Sequence, residues 1–412
     1  MIGLLYLSTA SMSIGGVLVQ CPNDTSDNNA VPDIATDNTK CMHLTAGDGF
    51  ATMGDGRRAY IFGFADVTGV PTLTQDDKDA VVNAGILSHQ WPAPSIVLDE
   101  EDEFYLNLTN VGMLIRPDLF DPHTVHFHGY PESSTVFDGL PESGISINMG
   151  STLTYYYKIN DPGTYMYHCH VEATEHMQMG MLGSLYVRPA QNFGDPDNGI
   201  PAGSLGGNTD PGVPMGYAYN DGDASTAYDV EYPIQLGSFD MNFHDLHEAV
   251  QPLPFALMRD DYPMINGRGY PHTADARTQA FPSTEGSNAT SDNPVDTLKT
   301  SNPVSSLIEA EQGDRILLRI SNLAITRYYT LQSPSIKMQV VGRDAKLLRA
   351  PNGNNLYYMT NSVTLGGGES ADVLLDTAGV APGTYVLHTA NLNYLSNGNE
   401  PFGGMMTEIV IQ

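Results

Sequence analysis

The sequence predicts an all-β chain made of two tandem Greek-key β-sandwiches. Three observations carry this. Short runs rich in Tyr, Val, Thr and Ile recur between turn residues, which include 41 glycines and 27 prolines in 412 residues; that is the composition of strands joined by tight turns. Several runs alternate apolar and polar side chains, the period of a half-buried strand rather than of a helix. One pattern of strand and turn also occurs twice at nearly the same offset, as a doubled architecture requires.

Residues 1–50 read as an N-terminal extension. Residues 1–20 are apolar, but no Lys or Arg precedes Lys40, so the basic start of a secretory signal is missing. Gly, Ser and Thr interrupt the run, which falls short of the roughly 20 continuous apolar residues of a membrane span. It is expected to be a strand of the mature protein. Cys21 and Cys41 flank a polar Asn/Asp-rich loop; whether they pair stays open, since spacing fixes no distance between sulfurs.

A first domain is expected over residues 51–188. Strands are predicted at residues 60–64, at 96–110 as two strands about an acidic turn, at 151–159, at 165–167 and at 182–187. Residues 189–228 turn to Pro, Gly, Asn and Asp without periodicity and read as a linker or surface crossover. A second domain follows over residues 229–412, interrupted by a polar loop at 273–303.

The second domain repeats the first. Residues 308–322 align without gaps on 96–110 at an offset of 212, and Pro382-Gly383-Thr384-Tyr385-Val386-Leu387-His388 aligns on Pro162-Gly163-Thr164-Tyr165-Met166-Tyr167-His168 at an offset of 220. Thr389 then falls opposite Cys169 and Ala390 opposite His170. No histidine recurs near residues 328–338 to match the cluster at 123–128. The second copy is expected to keep the fold and drop the chemistry.

The chain carries 48 acidic and 18 basic residues, a net charge of −30. This excludes nucleic-acid binding, which needs cations against phosphates, and suits a secreted protein whose field draws in cations. Half of the 12 histidines, with one of three cysteines, lie between His123 and Met181. Thiolate, imidazole and thioether together select copper. His123, Cys169, His176 and Met181 fit a blue-copper site with an axial thioether, for which Met177 and Met179 compete. The alternative is a buried thiol with methionines as core filler. If Cys169 points inward, strand alternation turns His168 and His170 to the other face. There they can meet His126 and His128 at a second metal site.

The motifs His126-Phe127-His128-Gly129, Phe137-Asp138-Gly139, Pro162-Gly163-Thr164-Tyr165 and His168-Cys169-His170 resemble the multicopper oxidase (laccase-like) family, especially its two-domain members. The resemblance is strong over residues 90–188 and weaker over 226–412. It implies cupredoxin-like domains. His123, Cys169, His176 and Met181 become type 1 copper ligands, His126 a type 2 ligand, and His128, His168 and His170 type 3 ligands. Asp138 resembles the acid that supports proton delivery. The family usually places a histidine five residues after the cysteine, whereas His176 follows Cys169 by seven; Met181 keeps the usual five after His176. A complete trinuclear cluster also draws histidines from two domains, and only one domain supplies them here.

Three functions follow from the resemblance. One is an oxidase taking single electrons from a phenol or a metal ion such as Fe(II) or Mn(II) and reducing oxygen, with the missing ligands from another chain, such as a neighbour in a homotrimer, or another domain. The second is a blue-copper electron-transfer or copper-holding subunit of an extracellular assembly. The third is a copper nitrite reductase-like enzyme, with His128 and His168 as ligands and His388 offered across an interface, although a strand position explains His388 as well. The expected location is secreted, periplasmic or extracellular. His244 and His247 are spaced for one helical turn, read as a solvated helix or else a surface metal site. His43, His89 and His272 stay unassigned.

Overall fold

The computed structural model describes residues 18–34, 38–204, 214–276, 281–282 and 300–412. The expected strand within residues 1–20 lies mostly outside them, as does most of the loop at 273–303. The first sandwich has strands β1 (Thr39–Thr52), β2 (Arg58–Asp66), β3 (Ala93–Asp99), β4 (Glu103–Gly112), β5 (His126–His128), β6 (Thr152–Lys158), β7 (Gly163–His168) and β8 (Leu182–Arg188). One sheet runs β2-β1-β4-β6 and the other β3-β8-β7-β5. Within them β1 and β4 are parallel, as are β3 and β8. Residues 39–50, inside the expected extension, form most of β1. A disulfide joins Cys21 to Cys41, their Cα atoms 5.8 Å apart, and leaves Cys169 as the free thiol.

The second sandwich repeats these connections. One sheet orders Tyr262–Ile265, Val230–Phe239, Arg315–Asn322, Ser370–Asp376 and Met338–Arg343; the other orders Ile308–Ala310, Met406–Ile411, Gly383–Thr389, Tyr329–Gln332 and Ser362–Leu365. Its parallel pairs, Val230–Phe239 with Arg315–Asn322 and Ile308–Ala310 with Met406–Ile411, stand where β1/β4 and β3/β8 stand. The repeat seen in two stretches of sequence thus extends over the whole fold. Each sandwich has its own apolar core.

The sandwiches are pressed together. The segment read as a linker is packed in part, with Tyr217, Tyr219 and Tyr228 buried and residues 196–199 exposed. The outer face of β7 lies against the second sandwich, where the Thr164 hydroxyl donates to Asp372 at 2.5 Å and Ser370 donates to the Thr164 carbonyl at 2.6 Å. Fully buried Arg319 sits at this seam, 3.0 Å from Glu231, 3.4 Å from Asp372 and over the ring of Tyr186. Arg188 of β8 also pairs with Glu231. A buried cation between two buried carboxylates adds little net stability while intact. Removing it leaves uncompensated charge. Arg319→Ala is therefore expected to destabilise the chain by about 3–5 kcal/mol, read as a lowered urea midpoint.

Candidate metal centre

The site grows from the strand period of two. Along β7 and its continuation, Tyr165, Tyr167 and Cys169 enter the first core, whereas Met166 joins a cluster between the sandwiches. His168 and His170 follow Met166 outward, and their rings lie 5.5 Å apart and nearly parallel. Opposite them, β5 is only three residues long. Phe127 anchors it, with its ring buried and stacked on Tyr157 at 4.2 Å. That anchor turns His126 and His128 to the face that His168 and His170 occupy, with His126 registered on His168.

On the inner side, three ligand atoms converge. Cys169 Sγ lies 3.8 Å from His123 Nδ1 and 3.3 Å from His176 Nδ1. Bonds of about 2.0 Å to nitrogen and about 2.3 Å to sulfur at a trigonal angle would place the atoms roughly 3.8 Å apart. The set therefore fits a first-row metal, and its softness favours copper. All three residues are buried. Both Nε2 atoms lack a hydrogen-bond partner, and Asp121 stands 3.8 Å from His176 Nε2. Burial opposes charge on His176, but the Cys169 sulfur and Asp121 outweigh it and raise its pKa to about 10. Burial instead holds His123 well below its usual value. The backbone amide of Thr124 approaches the sulfur at 3.5 Å.

The fourth expected ligand, Met181, is buried beside the sulfur site; its amide donates to the His176 carbonyl and its carbonyl accepts from the Cys169 amide. Gly180, at φ +117°, passes so close to β2 that a Cβ would lie 2.9 Å from the Phe62 carbonyl. His176 lies on a short helix, α1 (Ala173–Gln178), between Cys169 and Met181.

The outer histidines line a pocket of about 290 Å³. His128 Nδ1 faces His168 Nε2 at 3.3 Å, and His126, His128 and His168 can each bring a nitrogen within 4.8 Å of the others. His170 stands 5.2 Å, ring to ring, from His126. The far nitrogens are held by backbone, His126 Nδ1 by the Asp138 carbonyl at 2.6 Å and His168 Nδ1 by the Cys169 carbonyl at 2.8 Å, the usual way a ligand imidazole is oriented. Burial lowers the pKa of His126 and His128 and takes His168 to about 3, so these rings are neutral and can accept a metal. The Asp138 carboxylate lies 3.5 Å from His126.

The other wall is the second sandwich: Leu323, Ala324, Ile325, Gly367 and Gly368. It offers no donor side chain. His388, the repeat of His168, is not among the residues of this wall; it sits on strand Gly383–Thr389 beside Gln332, its Nδ1 on the Thr389 carbonyl. The solvated-helix reading of His244 and His247 is corrected. They do lie on one helix, α2 (Met241–Glu248), but both are buried against the first sandwich. Sequence reasoning also passed over Asp121, Glu175 and Gly368, whose roles come from long-range packing.

Multicopper oxidase family models match residues 72–192 and 240–412. Laccase-5 of Arabidopsis thaliana is 25% identical over 368 residues, covering 88% of this chain and 50% of that protein. The chain thus spans about half the length of that curated relative and less of the next two. Among solved structures, the blue copper oxidase of Nitrosomonas europaea superposes with a TM-score of 0.59 at 22% identity, covering 90% of this chain and 85% of the other. The copper nitrite reductase of the same organism reaches 0.54 at 16% identity, covering 90% and 93%. Both show the shared fold.

Gly368 has φ +89°, and a Cβ there would lie 2.7 Å from His128 Nε2. Gly368→Ala is expected to cost about 1–3 kcal/mol in backbone strain and to displace His128. Metal analysis with electron paramagnetic resonance should show copper lost from the outer pocket while the blue absorption of the sulfur site remains.

Proposed function

Because this chain belongs to the multicopper oxidase family, we propose that it takes single electrons from a donor at Cys169 and delivers them to an oxygen-reducing centre at the outer histidines. One observation carries this reading: Cys169 Sγ faces two imidazole nitrogens on one side, while its peptide neighbours His168 and His170 face the pocket on the other. Copper held by these residues would supply reversible one-electron chemistry.

The chain's own residues set the conditions. The buried shell around Cys169, with the Thr124 amide at its sulfur, keeps water out and tunes the centre. The covalent path from Cys169 to His168 and His170 links the two sides. Asp138 orients His126 through its carbonyl, and its carboxylate at the pocket is our candidate for proton delivery. The donor is proposed to be a phenol or a metal ion such as Fe(II) or Mn(II), which the net charge of −30 would attract. The remaining cluster ligands would come from a second copy, such as a trimer neighbour, or a further domain. The Cys21–Cys41 disulfide supports an oxidising, extracytoplasmic location.

A second reading, an electron-transfer subunit without oxidase activity, is favoured by the donor-free wall at Leu323, Ala324 and Ile325. Copper analysis with oxygen-electrode assays separates the two. An oxidase is expected to carry type 1, type 2 and paired type 3 coppers per functional unit and to consume oxygen with a phenol or Fe(II). One blue copper per chain without oxygen uptake would leave the electron-transfer reading.

A further inference from the structure

Helix α1, which carries His176, is six residues long and has no side-chain cap at its start. So short a helix is not stable by itself. What holds it comes from α2, outside the metal-binding sandwich. His247 Nε2 meets Glu175 Oε1 at 2.7 Å, and His244 Nε2 lies 3.0 Å from the Gln178 carbonyl. On its other side, His247 Nδ1 is 3.0 Å from Arg116 Nη1, and the same nitrogen of Arg116 donates to the His247 carbonyl. A guanidinium can only donate, so His247 Nδ1 is the acceptor and Nε2–H donates to Glu175. Arg116 in turn grips Asp118 through Nε at 2.8 Å and Nη2 at 2.7 Å.

The His247 ring also packs edge-on to Phe62 at 4.8 Å, and Phe62 packs edge-on to His176 at 5.6 Å. His247 is 2% exposed, where hydrogen bonds are strengthened by low dielectric. One imidazole thus ties together two ligand-bearing segments. Arg116 begins the segment that carries Asp121 and His123, and Glu175 lies on the segment that carries His176 and Met181.

We propose that His247 is a positioning residue for the sulfur-centred copper site, clamping both ligand-bearing segments through Arg116 and Glu175. The inference rests on the reading of His123, Cys169 and His176 as copper ligands. The short, uncapped helix that carries His176 is what makes the clamp necessary, and the clamp gives the second half of the chain control over a metal site it does not contain.

The test is Cu(II) titration of the full chain against a competing chelator, followed by the blue absorption band. His247→Leu is expected to lower Cu(II) affinity at the blue site by roughly 10–100-fold and to shift and weaken the band. His247→Gln, whose amide can donate to Glu175 and accept from Arg116, is expected to keep both. Glu175→Leu should reproduce the loss, and the double Leu variant should lose no more than either single one, because the two residues act as a unit. Glu175→Leu also carries the test should His247→Leu fail to fold. Variants that melt lower but keep the band and affinity would reduce His247 to packing and overturn the proposal, as would losses that add in the double variant. A wild-type chain that binds Cu(II) without a blue band would instead overturn the ligand reading itself.

Discussion

Two backbone faces meeting at one cysteine is the constraint on which the rest of this molecule depends. In β7 and its continuation the side chains alternate, so Tyr165, Tyr167 and Cys169 are committed to the first core while Met166, His168 and His170 are committed to the face turned to the second sandwich. A slip of one residue would turn the imidazoles into the first core and the thiol out of it. The register is fixed on both sides by β5 and β8. The Tyr167 hydroxyl fixes it further by donating to the Pro94 carbonyl at 2.6 Å. A covalent bridge between the two proposed ligand sets is therefore a consequence of ordinary strand geometry.

What was legible in the sequence was local. The strands announced themselves by period and turn residues, and the ligand clusters by the density of histidine around Cys169. The repeat placed His388 on His168, and the structure gives both rings the same backbone tether, 2.9 and 2.8 Å to the following carbonyl. What was not legible was contact between halves. A short segment with His244, Asp245, His247 and Glu248 has the polarity of a solvated helix, and its burial depends on a surface contributed by Tyr60 and Phe62, far away in the chain. Gly368 carries no chemical signal at all. It matters only because His128 lies where its Cβ would be.

The second sandwich keeps the architecture without the sulfur, since Thr389 and Ala390 stand where Cys169 and His170 stand in the first. It serves the metal centre from behind. It walls the outer pocket with backbone and apolar groups, braces the inner site through α2, and locks the seam through Arg319. The same tight packing leaves no donor side chain opposite the four outer histidines among the described residues that line the pocket.

Anomalous diffraction at the copper edge, on crystals of the copper-loaded chain, tests the bridge at Cys169 most directly. The expected map has one peak within bonding distance of Cys169 Sγ, His123 Nδ1 and His176 Nδ1, and separate density among His126, His128, His168 and His170. A map with copper among the outer histidines but none at the sulfur would contradict it.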